Sequence, residues 1–192
     1  MEEIVDNRDI EILGVLEDYK KYCFEENLIP ERHKWMRAIV TGTTLTDNIK
    51  YSLYYDDATR GYSDHGYIGL YSNKSIRAIG KLIKICEVSS KSGSVDDLCF
   101  DIKKGEKLTN EETENIKAAI IHAKEFDYDL PQVPHNFFIV DKFYPVDFYK
   151  KSKYPIQKSK YFNLAQMLKV KELGPTETIV KELNGKAWEE FE

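Results

Sequence analysis

A chain of 192 residues, 42% hydrophobic and 32% charged, has the composition of a folded domain and excludes a disordered or low-complexity one. No apolar run approaches the roughly 20 residues that cross a bilayer, and the acidic opening MEEIVDNRDIEIL lacks a secretory profile, so a cytoplasmic location is expected. The net charge of -5 argues against a protein coated in nucleic acid, although a basic face can sit on an acidic molecule.

Residues 8–26 are predicted as an amphipathic helix, with Ile12, Val15, Leu16, Tyr19 and Cys23 at three- and four-residue steps and Asp6 or Asn7 as the cap. Pro30 breaks it. The stretch from Arg32 to Thr43 turns β-prone in its later part and ends at Gly42. Residues 44–66 are polar, with a half-buried strand over Tyr51, Leu53 and Tyr55 and a loop at DDATRGYSDHG. Tyr67 to Tyr71 is predicted as a strand ending in the turn Ser72-Asn73-Lys74-Ser75.

Residues 76–88 alternate in part, with Gly80 marking a bulge or a close backbone approach. A helix is the alternative there, since Ile76, Ile79, Ile83 and Cys86 also step by three and four; β-branching favours the strand. Leu98 to Ile102 is a short strand, and Thr109-Asn110-Glu111-Glu112 is a capping box opening a helix over 110–126. Pro131 and Pro134 close that region. Phe137 to Val140 is a strand that Tyr144 to Phe148 continues into a turn or edge, and short helices follow over 162–168 and 176–188. The expected organisation is an N-terminal helix at 1–30, an α+β domain at 31–170 and a C-terminal helix at 171–192.

Chemistry-bearing motifs are sparse. Cys23, Cys86 and Cys99 lack CxxC spacing and are expected to be reduced core thiols. The four histidines form no metal spacing, and no phosphate-binding glycine loop or nucleophile turn occurs. No cofactor is expected, and the balance of motifs favours binding over catalysis. Asp64-His65 in a glycine-flanked loop is a minor catalytic candidate. Asp101-Ile102-Lys103 has the local form of a magnesium-nuclease element, with Glu87 as the partner acid.

Two features point to nucleic acid. Lys150, Lys151, Lys153, Lys158 and Lys160 are interleaved with Tyr149, Tyr154 and Tyr161, pairing phosphate contacts with stacking faces; a basic loop guarding a sheet edge is the structural alternative. Trp35, Tyr54, Tyr55, Tyr62, Tyr67 and Tyr71 fall near strand ends and loops, beside Thr43, Ser72 and Asn73, as in sites that hold a flat heterocycle, or as in a core.

The segment YIGLYSNKSIRAIGKLIKICEV resembles the central part of PUA-like domains, especially the EVE branch related to ASCH and SRA domains. Tyr67 to Tyr71, Lys74, Ile76, Ile79-Gly80 and Glu87-Val88 carry the likeness, and FFIVDKFYPVDFYKKSKYPI is similar to the family's closing strand. Where the family commonly has Gly-Asp before its first aromatic strand, this chain has Asp64-His65-Gly66. The resemblance covers about residues 35–168. It implies a small bent mixed β-barrel flanked by helices, with a cleft for RNA or a modified DNA base. Trp35, Tyr71, Ser72 and Asn73 are then the ligand-binding candidates, and the five lysines hold phosphates. A non-catalytic nucleic-acid or modified-base binder, in a bacterial or phage defence setting, is the expected function. The alternatives are a magnesium nuclease and a protein-interaction module such as a phage inhibitor, whose acidic face would join the N-terminal helix to residues 106–114.

Overall fold

The computed structural model describes residues 14–16, 18, 19, 22, 23 and 31–191. Two compact units divide the chain, Met1–Arg32 and His33–Glu192. In the first, the described residues 14–16, 18, 19, 22 and 23 are helical; the rest of the helix predicted over 8–26 lies outside the described residues.

The second unit is a mixed α+β fold built on seven strands: β1 Trp35–Val40, β2 Leu53–Asp57, β3 Tyr67–Ser72, β4 Ser75–Ser90, β5 Leu98–Lys104, β6 His135–Tyr149 and β7 Ser159–Asn163. Their order is β2-β6-β4-β3-β1-β7, with β5 on β4. β1 and β3 run parallel, and the other pairings are antiparallel. Among the described residues no pairing joins β2 to β7, so hydrogen bonding does not close the sheet.

Two long strands organise this sheet. One edge of β4 is shared between β3 and β5, while β6 runs along the other. The β4–β6 register slips between Ile76 and Ala78, between Gly80 and Leu82 and between Leu82 and Lys84, and such bulges bend a sheet. At Gly80 an added Cβ would lie 2.8 Å from a Val140 methyl and 2.9 Å from the Lys142 carbonyl oxygen. The glycine expected to mark a close approach does so.

Four helices cover the sheet: α1 Leu45–Tyr51, α2 Asn110–Ala123, α3 Leu164–Leu168 and α4 Thr176–Leu183. Thr109 caps α2 through the full reciprocal box with Glu112, and Ile116 and Ile120 of α2 bury against Leu53, Phe137 and Ile139. Elsewhere on the sheet, Ile179 and Leu183 of α4 join Met36, Phe148 and Trp188 in a second cluster. A third, containing Ile39, Ile68, Leu70 and Phe138, packs the remaining sheet surface.

Several elements differ from the sequence expectations. The polar run after Thr43 holds α1, which ends where Ser52 takes a left-handed φ of 53°. Its polar residues turn inward: the Asn48 amide donates to the Leu53 carbonyl at 3.0 Å, and the Thr44 hydroxyl donates to the Thr41 carbonyl at 2.8 Å. β6 is one continuous strand through Pro145, and β7 precedes the short helix predicted from Phe162. All three cysteines are free thiols, but Cys99 is exposed, because the alternation of edge strand β5 turns it outward.

Candidate functional site

One end of the sheet gathers segments that are distant in sequence. After β1, the Thr41 amide donates to the Tyr71 carbonyl at 3.1 Å. The β3–β4 turn is tight, with Asn73 at φ 50° and Lys74 at φ 59°, the left-handed pair of a two-residue hairpin. Arg77 braces it, donating to the Ser72 and Asn73 carbonyls and pairing with Asp147 at 2.8 Å. The Lys150 amide donates to the Lys74 carbonyl at 2.8 Å, and the Val40 amide to the Lys158 carbonyl at 3.5 Å. Both ends of the lysine-rich segment are therefore tied to this end of the sheet.

The segment itself is shaped by local polar contacts. Glu189 accepts the amides of Lys151 at 3.0 Å and Ser152 at 2.8 Å, and these backbone donors hold its carboxyl down at about 2. The Lys150 ammonium donates to the Tyr154 carbonyl, Lys153 lies over the Tyr154 ring, and Lys160 over Phe162 and Trp188. Lys151, Lys153 and Lys158 are exposed, whereas Lys150 and Lys160 are half-buried.

Beside this segment lies a cleft of about 260 Å³. Val40, Thr41, Tyr54, Tyr55, Asp56 and Arg60 line it together with Tyr128 and His135. Burial raises the Tyr54 hydroxyl well above its ordinary value. Burial, with the Tyr128 hydroxyl and Asp47 nearby, raises that of Tyr55 to about 12. Both phenols are donors at neutral pH. The Asp56 carboxylate joins two cations, Arg37 at 3.3 Å and Arg60 at 3.0 Å.

Behind Asp56 the polar character continues into the interior. Arg37 is buried, with its guanidinium carbon 5.3 Å from the centre of the Phe138 ring and 5.9 Å from that of Tyr62. His65 is also buried, and its ring lies 5.7 Å from Phe138 and 6.0 Å from each of Tyr62 and Tyr161. His65 Nδ1 sits 2.8 Å from the Ser63 carbonyl, which can only accept, so Nδ1 carries the proton and Nε2 the lone pair.

Burial above all lowers the His65 pKa to about 4, helped by Arg37 and Lys104 and opposed by the Ser63 carbonyl and Asp64. The folded state therefore binds this proton less readily than the unfolded chain, whose histidine titrates near 6.5. The linked stability is full above pH 6.5, falls as pH drops and levels off below about 4. Between pH 7 and 4.5 we expect a loss of about 2–3 kcal/mol from this group, measured as the excess pH dependence of unfolding over His65→Phe. Equal pH dependences would show that His65 takes up its proton as readily in the fold as in the unfolded chain.

The residues singled out from sequence are placed unevenly. The parallel register aligns Met36 with Tyr67 and Val40 with Tyr71. Trp35 thus lies five residues, or about 16 Å at 3.3 Å per residue, from the level of the turn, and does not share a pocket with Tyr71. The Tyr71 ring is 2% exposed and packs 5.5 Å from Trp188. Ser72 and Asn73 sit in the turn whose Lys74 carbonyl accepts the Lys150 amide, so one end of the lysine segment is tied beside them. Arg37, Asp56, Arg60 and Tyr128 were not singled out as site residues; the clustering of tyrosines around Tyr54 and Tyr55 was the available signal.

Elsewhere, Glu87 and Asp101 are opposed in the β4–β5 ladder, and the Lys103 ammonium bridges them at 3.2 and 2.7 Å. Among the described residues, no group of three or more histidine, cysteine or acidic side chains is placed to hold a metal. No helix among them is long and apolar enough to cross a membrane.

No family model matches the chain, and no curated protein matches it. Its fold is similar to the crystal structure of ASCH from Zymomonas mobilis, at 13% identity over 81% of this chain and 99% of that chain, with a TM-score of 0.45. A serine-to-alanine mutant of the Zymomonas mobilis protein is similar at 13% identity over 70% and 91% of the two chains, with a TM-score of 0.41.

Proposed function

We propose that the protein binds single-stranded nucleic acid, seating an unpaired or modified base in the cleft while the lysine segment holds the backbone. The observation that carries this reading is the shared location of the two: Val40 lines the cleft and bonds the Lys158 backbone. Tyr55 and Tyr128 offer ring faces, and Thr41, Asp56 and Arg60 offer donors and acceptors for a base edge. The exposed Asn73 and half-buried Ser72 extend the polar rim from the adjoining turn. Stacking is assigned to these tyrosines rather than to Tyr71, whose ring packs against Trp188, and Trp35, which lies at the far end of β1. In this reading the bulged mixed sheet serves as a PUA-like barrel with its ligand at one open end.

The test is fluorescence anisotropy with short modified and unmodified RNA and DNA strands at two salt concentrations. Affinity should fall with salt, by about 0.7 log units per log unit of salt for each phosphate held. The triple variant Lys151→Gln, Lys153→Gln, Lys158→Gln should flatten that slope by about 2. Absent or salt-insensitive binding sinks the reading.

A nuclease reading has one observation in its favour, the Glu87–Asp101–Lys103 group. It ranks second because the Lys103 ammonium already bridges both carboxylates. Magnesium-dependent cleavage abolished by Asp101→Ala, with folding intact, would promote it.

A further inference from the structure

Three buried polar atoms behind the cleft have no hydrogen-bond partner: Arg37 Nε, Arg37 Nη1 and His65 Nε2. Arg37 is 4% exposed and His65 is fully buried. Each such atom left unpaired costs about 1–3 kcal/mol, and buried polar groups in folded proteins are nearly always satisfied. Both side chains lie against the same two rings, Phe138 and Tyr62. The unpaired atoms thus share one aromatic surround, with Asp56 between them and the cleft.

Residues 58–64, which carry Tyr62 and lead into His65, cover this group without regular strand or helix structure. The Tyr62 ring stands edge-on to Phe138 at 4.9 Å. The cover is fastened at its rim: the Ser63 amide donates to the Tyr161 hydroxyl at 3.0 Å, Asp64 pairs with Lys104 at 2.8 Å, and Arg60 pairs with Asp56. The flanking Arg60, Asp64 and Lys104 side chains are partly to largely exposed, and ion pairs of that kind exchange for water at little net cost.

The chemistry of the covered atoms restricts what fits. Arg37 needs acceptors, and neutral His65 needs a donor. An inorganic anion with no proton leaves His65 unpaired. A cation meets the net positive charge of Arg37, Arg60 and Asp56. The flanking rings favour a flat group.

We propose that the cover opens and that Arg37 and His65 hold a lactam edge, with the carbonyl oxygen accepting from Arg37 and the adjacent ring N–H donating to His65 Nε2. Phe138 is the stacking floor, and Tyr62 closes over the ring. Uracil, thymine and hypoxanthine carry this edge. The inference deepens the base-binding reading and rests on it, placing the recognised edge in an inner subsite rather than in the outer cleft.

Calorimetric titration of the full chain with uridine, 3-methyluridine, tetrauridylate and an abasic tetranucleotide tests it. Uridine should bind, and 3-methyluridine, which lacks the N–H, should bind about tenfold or more weakly. His65→Phe should lose the same factor for uridine. Should that variant fail to fold, the methylated and unmethylated pair on the unaltered chain decides alone. Tighter binding of tetrauridylate than of uridine assigns the ligand to a strand; equal binding assigns it to a free nucleoside. Uridine and 3-methyluridine that bind equally, or not at all because the atoms hold a buried water only, overturn the inner site. In either case salt-dependent binding of the abasic strand leaves the nucleic-acid reading standing, and loss of that binding too removes both.

Discussion

Asp56→Ala is expected to lower the unfolding free energy by about 3–5 kcal/mol, the range for removing one partner of a buried ion pair. Arg37 donates Nη2 to Asp56 at 3.3 Å, while its Nε and Nη1 are already unpaired. Without the carboxylate, a buried guanidinium keeps no acceptor among the described residues. Arg60, with a side chain 72% exposed, loses little, so Arg60→Ala should change stability by no more than about 0.5 kcal/mol. The double change Arg37→Met, Asp56→Leu should recover most of the loss, because an apolar pair needs no partner. Urea unfolding midpoints at constant slope measure all three. If Asp56→Ala costs less than about 1 kcal/mol, water reaches Arg37 and the inner site is not sealed.

The same residues show why part of this protein was legible in its sequence and part was not. β3, its turn and β4 were readable because alternation, turn residues and Gly80 are local signals that agree with the tertiary structure. The Thr109 box was readable for the same reason. Helix α1 was not, because Thr44 and Asn48 look like solvated loop residues until their hydrogen bonds to Thr41 and Leu53 are seen. Pro145 looked like a strand end, yet it sits opposite Ala78 beside a register slip, where a missing donor is tolerated.

The site followed the same division. The lysine segment was visible as composition, but its attachment to the cleft depends on Val40 meeting Lys158 and Lys150 meeting Lys74. Arg37 sits in a basic stretch, RHKWMR, and only the pleat of β1 sends it inward to Asp56. A tyrosine next to a turn carries no mark that separates a binding face from a core face, and Tyr71 proved to be a core one.

Trp188→Ala is the substitution that tests how far this core extends, with an expected loss of about 3–5 kcal/mol. The indole is 2% exposed, lies 4.9 Å from the Phe162 ring and 5.5 Å from Tyr71, and donates to the Phe148 carbonyl at 2.9 Å. Trp188→Phe should cost less, since one ring stays packed while the rest of the indole volume and its donor to the Phe148 carbonyl are lost. Tyr71→Phe, by contrast, should be neutral or mildly stabilising, because the Tyr71 hydroxyl is buried with no partner. The neighbouring Glu189 holds the Lys151 and Ser152 amides, so loosening Trp188 should also weaken strand binding in the anisotropy assay, while Tyr71→Phe leaves it unchanged. If Tyr71→Phe abolishes binding at full stability, the hydroxyl is a ligand contact and the turn-side pocket expected from the sequence is restored. If Trp188→Ala leaves both stability and binding intact, the C-terminal segment is not part of the cooperative core and the lysine segment is shaped without it.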